Sequence, residues 1–100
     1  MRILSLPTLK SFYEETASHT DAKTPLLTWH SHVLKANWLE PADVKVDFGN
    51  ASILKEGRVV FNIVGNKYRL VTSINYPYGI VFIKFIGTHK QYDAIDAQTI

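Results

Sequence analysis

"RVVFNIVGNKYRLVTSIN", residues 58–75, decides the fold. Two runs rich in β-branched and aromatic residues flank Gly65–Asn66, which signals a hairpin closed by a two-residue turn. With those two residues in the turn, Val64 opposes Lys67, Asn62 opposes Arg69 and Val60 opposes Val71. Alternation then sets Val59, Phe61 and Ile63 on one face with Tyr68 and Leu70. The other face gathers Asn62, Lys67 and Arg69. One side of the hairpin reads as core and the other as a polar face.

Working outward, "YPYG" (76–79) makes a second turn and "IVFIKFI" (80–86) a third strand. Lys84 is costly to bury, so it is expected on the polar face. A four-residue turn gives that register, with Lys84 opposite Val71 and diagonal to Arg69, and Phe85 on the core face. Gly87 is expected to let the chain turn. Thr88 and Gln91 have capping-box spacing, so a short last helix starts at His89.

Towards the N-terminus, Arg2–Leu4 reads as a short strand. Leu9, Phe12, Tyr13 and Ala17 recur at helical spacing and predict a helix over Thr8–Ser18. "SHTDAKTP" breaks it. Thr24–Pro25 opens a second helix, ending before Asn37, with Leu26, Trp29, Val33 and Leu34 as its apolar face. "EPADVK" predicts one more helical turn, and "VDFGNASILKEG" (46–57) a loop. The pattern is α+β: a small antiparallel sheet, two N-terminal helices on one face and a short C-terminal helix.

The chain has 100 residues, of which 46% are apolar, the size and composition of a single domain with a modest core. There is no repeat, linker or low-complexity tract. A net charge of +2 argues only weakly for an anionic partner. The absence of cysteine excludes a disulfide scaffold, cysteine-ligated zinc and a thiol nucleophile. The apolar run in "MRILSLPTLK" is too short for a signal peptide, and no window approaches the ~20 apolar residues of a spanning helix. A soluble cytoplasmic protein with no membrane partner is the expectation.

Lys67, Arg69 and Lys84 converge on the polar face. Arginine offers a fork matched to phosphate oxygens, and lysine a point charge. The third strand delivers His89 to the rim at a helix start, where backbone N–H groups also favour an anion. Tyr92 follows one turn later, placed to join the site or to stack on a base. These are parts for binding an RNA backbone and moving protons beside a phosphate. Plainer readings exist. Lys67 can be a solvated edge guard. Arg69 and Lys84 can be paired with Asp93 or Asp96. Tyr92 can be an anchor for the last helix. His30 and His32, two apart on a helix, face different ways and do not suit a metal site. No carboxylate cluster or glycine-rich phosphate loop is present.

These residues resemble a known family. "RVVFNIVGNKYRLV", "INY", "VFIKFIGTHKQYD" and "IDAQTI" are similar to the HigB-type toxins of the RelE-like group of bacterial toxin–antitoxin modules. The likeness is dense from about Asp43 onward. Before that, only the helical layout and Trp38 agree. The resemblance implies an endoribonuclease (an mRNA interferase) that cuts messenger RNA, typically on the translating ribosome. The 2′-hydroxyl attacks the adjacent phosphate with no metal or other cofactor. It also implies a HigA-like helix-turn-helix antitoxin that neutralises the toxin, with operator DNA reached only through that antitoxin.

Carried over residue by residue, the middle-strand arginine of such toxins matches Arg69, and Lys84 matches a strand position that is basic in close relatives. His89 stands where relatives often carry arginine, which leaves open proton transfer or phosphate contact. The tyrosine near the start of the last helix matches Tyr92. Arg69, Lys84, His89 and Tyr92 are therefore the expected catalytic residues. Asn62, Lys67 and Lys90 are expected to bind RNA or, for Asn62 and Lys67, to support Arg69. The alternatives are a catalytically weak RNA-binding protein acting through its antitoxin complex, and a structural domain whose Arg69 and Lys84 are satisfied by carboxylates.

Overall fold

A computed structural model describes residues 1–100. The chain runs β1 (Arg2–Leu4), α1 (Leu6–Glu15), a 3-10 helix (Ala17–Ala22), α2 (Lys23–Lys35), α3 (Pro41–Asp47) and β2 (Ser52–Ile53). It continues with β3 (Arg58–Ile63), β4 (Tyr68–Asn75), β5 (Ile80–Thr88) and α4 (His89–Asp93). The five strands form one sheet in the order β1-β5-β4-β3-β2. The architecture is the expected α+β one. The sheet is mixed, because β1 pairs parallel with β5 at one edge.

The β3–β4 hairpin has the expected register, with Asn62 opposite Arg69 and Val60 opposite Val71. Gly65 takes a positive φ of 62° at the first turn position, and the Lys67 amide donates to the Val64 carbonyl at 3.1 Å. Leu26, Trp29 and Val33 of α2 and Leu9 of α1 pack on the face carrying Val59, Phe61, Ile63, Tyr68 and Leu70. Leu34, expected on that apolar face, is half exposed instead. Trp29 meets Phe61 edge-on at 5.4 Å between centroids, an arrangement that adds about 0.5–1.5 kcal/mol to the burial itself.

Three local expectations are corrected. The "SHTDAKTP" break is a 3-10 helix leading directly into α2, because Ala22 is fully buried and holds the chain against the core. The 46–57 stretch is not all loop: α3 extends through Asp47, and Ser52–Ile53 pairs with Val60 and Val59. A two-residue strand is too short to carry an alternating pattern. The return into β3 runs through Gly57 at φ 78°, where an added Cβ would stand 2.5 Å from the Ile74 carbonyl oxygen.

The third correction concerns β5. From Asn75↔Ile80 to Thr72↔Ile83 the strand keeps the register of a four-residue turn. A bulge then shifts the pairing, so Val71 opposes Phe85 rather than Lys84. The cause is core packing. Ile83 and Ile86 are both buried in the main core, and residues three apart share a face only if one extra residue lies between the paired positions. Lys84 is that residue, and Phe85 turns away from the core to join Val60 and Val71.

The second face of the sheet is also partly covered. Val60 and Val71 are buried beneath Tyr92, Ile95 and Ala97 from α4 and the segment after it. Gln98 ties this segment down. Its side-chain amide donates to the Lys55 carbonyl at 2.7 Å and accepts from the Lys55 amide at 2.9 Å.

Candidate active site

Arg69 lies on β4 between Asn62 of β3 and Gly87 of β5. It is half-buried. Its Nη1 donates to the Asn66 carbonyl at 2.8 Å, and its Cζ lies 5.9 Å from the centre of the Tyr92 ring. Gly87 is not a turn residue but a position inside β5. A Cβ there would stand 2.5 Å from the Phe85 ring and 2.8 Å from Gln91 Oε1. Its missing side chain lets the Phe85 ring and the Gln91 cap cross the strand beside Arg69.

The α4 capping box forms as expected. The Thr88 amide donates to Gln91 Oε1 at 2.9 Å, and the Gln91 amide to Thr88 Oγ1 at 3.1 Å. The His89 amide donates to the Lys67 carbonyl at 3.2 Å. These bonds spend most of the N–H groups that were expected to attract an anion, so the helix start is not an open cradle. On the first turn, His89 Nδ1 contacts Asp93 Oδ2 at 2.9 Å. Tyr92 both anchors α4 on Val60 and Val71 and offers its ring to Arg69. The anchor reading of Tyr92 is met, and the same ring lies beside Arg69.

The structure separates Lys67 from this group. Its Nζ contacts Asp21 Oδ2 at 2.5 Å on the 3-10 helix and lies 5.3 Å from the centre of the Tyr68 ring. Tyr68 donates its hydroxyl proton to Asp21 Oδ1. Lys67 therefore leans towards the helix layer rather than towards Arg69. The hydrogen bond from Lys67, then that from Tyr68, holds the Asp21 carboxyl below its ordinary pKa. The same bond raises Lys67, and burial followed by Asp21 raises Tyr68. Asn62 faces Arg69 but spends an amide hydrogen on the Asn50 carbonyl at 3.3 Å.

Lys84 and Lys90 are exposed, and the Lys84 Nζ lies 5.9 Å from the Phe82 ring centre. Phe82 opposes Ser73, two steps from Val71, which places Lys84 on the Arg69 side of the sheet. No carboxylate pairs with Arg69, Lys84 or Lys90. The three ion pairs are His32–Asp47, Lys67–Asp21 and His89–Asp93. Asp96, the other proposed partner, instead accepts from the Gln98 amide at 3.0 Å. The structural-domain alternative, which required Arg69 and Lys84 to be neutralised within the chain, is not met.

Two partners were not foreseen: Asp93, considered for Arg69 or Lys84, holds His89 at the i,i+4 spacing, and Asp21, outside the site and 46 positions before Lys67, carries no local signal. His32 is occupied by Asp47, whose carboxyl is lowered first by the Trp38 hydrogen bond and then by His32. An apolar groove of about 480 Å³ beside α1 and α2, with Leu6, Leu9, Tyr13 and Leu26 in its walls, contains none of the candidate residues. The candidate site is instead a rim on which a forked cation lies over a phenol ring and an imidazole is held by a carboxylate, while Lys84 and Lys90 are exposed and unpaired and contact neither pair. It can hold an anionic oxygen group and move a proton beside it.

A family model described as HigB_toxin, the RelE-like toxic component of a toxin-antitoxin system, matches residues 22–95. The matched span includes every candidate site residue. The chain is 27% identical over 99 residues to the mRNA interferase toxin HigB of Escherichia coli strain K12, covering 97% of this chain and 92% of that protein. The mRNA interferases HigB of Escherichia coli O157:H7 and of Shigella flexneri match with the same identity and coverage.

Proposed function

This chain belongs to the HigB toxin family, the RelE-like toxic component of a toxin–antitoxin system, and from that premise we propose that it is an endoribonuclease, an mRNA interferase that cuts messenger RNA on the translating ribosome. Residues 1–100 form one toxin domain in this reading. The 2′-oxygen of the target nucleotide attacks the adjacent phosphorus, and the bond to the 5′-oxygen breaks. Arg69 holds the non-bridging oxygens as charge builds on them. Lys84 and Lys90 bind the flanking backbone. His89 and Tyr92 handle the protons. Asn62 and Lys67 shape the hairpin that presents Arg69.

One observation carries the proposal. Arg69 is half-buried on the middle strand of the sheet and lies over the Tyr92 ring, yet no carboxylate neutralises it. A cation held this way is set for an anion that the chain does not supply. The partner is a HigA-like helix-turn-helix antitoxin, and operator DNA is reached through it alone. The site of action is the cytoplasm, where ribosomes and messages meet. No helix is long and apolar enough to cross a membrane.

The test is cleavage of ribosome-bound messenger RNA by the purified chain and by Arg69→Ala. Cleavage by the wild type and a loss of about 10²–10³ in rate for the variant are expected. A second reading, a weakly catalytic RNA-binding partner for the antitoxin, draws on the diversion of Lys67 to Asp21. Growth arrest on expression without the antitoxin favours the nuclease, and tolerated expression favours the second reading.

A further inference from the structure

Resting on the ribonuclease reading, we infer that Asp93 is the positioning residue for His89, fixing Nε2 as the nitrogen that carries the proton during cleavage. Asp93 Oδ2 lies 2.9 Å from His89 Nδ1. An ionised carboxylate has no proton to give, so Nδ1 must carry the hydrogen in this contact, whether the ring is neutral or charged. The neutral ring then keeps its lone pair on Nε2, which has no hydrogen-bond partner in the protein.

The placement fits this use. His89, Tyr92 and Asp93 are three and four positions apart, so they share one side of α4. Tyr92 on that side faces the Arg69 guanidinium. His89 thus belongs to the side of α4 whose Tyr92 lies beneath Arg69. As the 2′-oxygen bonds to phosphorus and the bond to the 5′-oxygen breaks, one proton leaves the 2′-hydroxyl and one reaches the 5′-oxygen. Nε2 is the atom through which His89 enters either transfer.

Stability does not account for the pair. His89 and Asp93 side chains are 56% and 59% exposed, and ion pairs this open contribute little to folding. Asp93 is also the last residue of α4, the end of a helix where a negative charge is least favoured. The Thr88 cap holds the helix start without either residue.

The experiment combines single-turnover cleavage of ribosome-bound message with nitrogen-15 spectra of the His89 ring in the free protein. Asp93→Asn is expected to slow cleavage about 10–100-fold, the range known for metal-bound imidazoles that lose an orienting partner, with ribosome binding unchanged. Asp93→Glu is expected to recover most of the rate. In a His89→Gln background Asp93→Asn is expected to cost nothing further. The spectra are expected to show the Nδ1–H tautomer in the wild type and its loss in Asp93→Asn. An unchanged rate, an equal loss in both backgrounds, or an unchanged tautomer overturns the inference. A wild type that cleaves nothing overturns the ribonuclease reading instead, and the spectra, which need no RNA, still decide the Asp93–His89 contact.

Discussion

The Arg69 guanidinium lies over the Tyr92 ring, 5.9 Å from its centre, and this contact helps tie β4, the middle strand of the sheet, to the last helix. Two residues 23 positions apart in sequence thereby share one task. Arg69→Lys is expected to behave almost like Arg69→Ala, because an ammonium neither forks onto phosphate nor stacks as a plane. Single-turnover rates that are near wild type for Arg69→Lys would sink the bidentate reading.

Tyr92 has two roles that substitutions can separate. Tyr92→Phe keeps the ring on Val60 and Val71 and removes only the hydroxyl. It is expected to melt with the wild type but to cleave more slowly. Tyr92→Ala removes the anchor too, and is expected to cost about 1–3 kcal/mol, below the figure for a fully buried aromatic. Urea titration of both variants checks the order. Equal stability of the two would mean that the ring anchors nothing.

The Lys67–Asp21 contact gives a pH prediction with a definite sign. Asp21 is held below its ordinary pKa, so its stabilising contribution is present at neutral pH and is lost as acid protonates it in the folded state. Lys67 is raised, so its part is present at neutral pH and is lost only in strong alkali. Asp21→Asn is therefore expected to destabilise at pH 7, and the gap to wild type is expected to close below about pH 4. A gap that widens in acid would contradict the assignment. Lys67→Ala is expected to affect cleavage far less than Arg69→Ala does.

The β5 bulge separates substitution from deletion. Lys84→Ala leaves the extra residue in place, so stability is expected to stay within about 0.5 kcal/mol while cleavage slows. Deleting Lys84 forces either Ile83 or Ile86 out of the core, and is expected to unfold the chain or leave it loosely packed. Circular dichroism melting of both variants decides this. A stable, cooperatively melting deletion variant would contradict the bulge.

Two glycines are expected to differ for a physical reason. At Gly57 the obstacle is a backbone carbonyl, and φ is 78°. At Gly87 it is a phenyl ring and a glutamine side chain, both of which can move. Gly57→Ala should therefore lower the melting temperature more than Gly87→Ala, and Gly87→Ala should lower cleavage more than its stability loss explains. The reverse order in melting would overturn the close-approach argument.

The hairpin was legible because a two-residue turn and strict alternation leave one register for β3 and β4. Arg69 and Asn62 followed from it at once. The bulge is also written in the sequence, in the three-residue spacing of Ile83 and Ile86, but the cost of burying Lys84 is met equally well by a regular strand. β2 carried no pattern, since two residues cannot alternate. Asp21 was invisible because the contact depends on how the 3-10 helix returns to the sheet. The cover over Val60 and Val71 was hidden for a related reason: Ile95 and Ala97 have no regular period, so nothing local says which surface they close.

That cover bears on where specificity resides. With Ile95 and Ala97 packed over Val60 and Val71, the ribonuclease reading leaves a nucleic acid strand only the uncovered part of this face around Arg69. Such a patch can act on a bond already displayed to it, but it does little to straighten or select the strand. Whatever machine displays the message is then expected to do much of the choosing of where it breaks, and the toxin to act as a blade brought to a held thread.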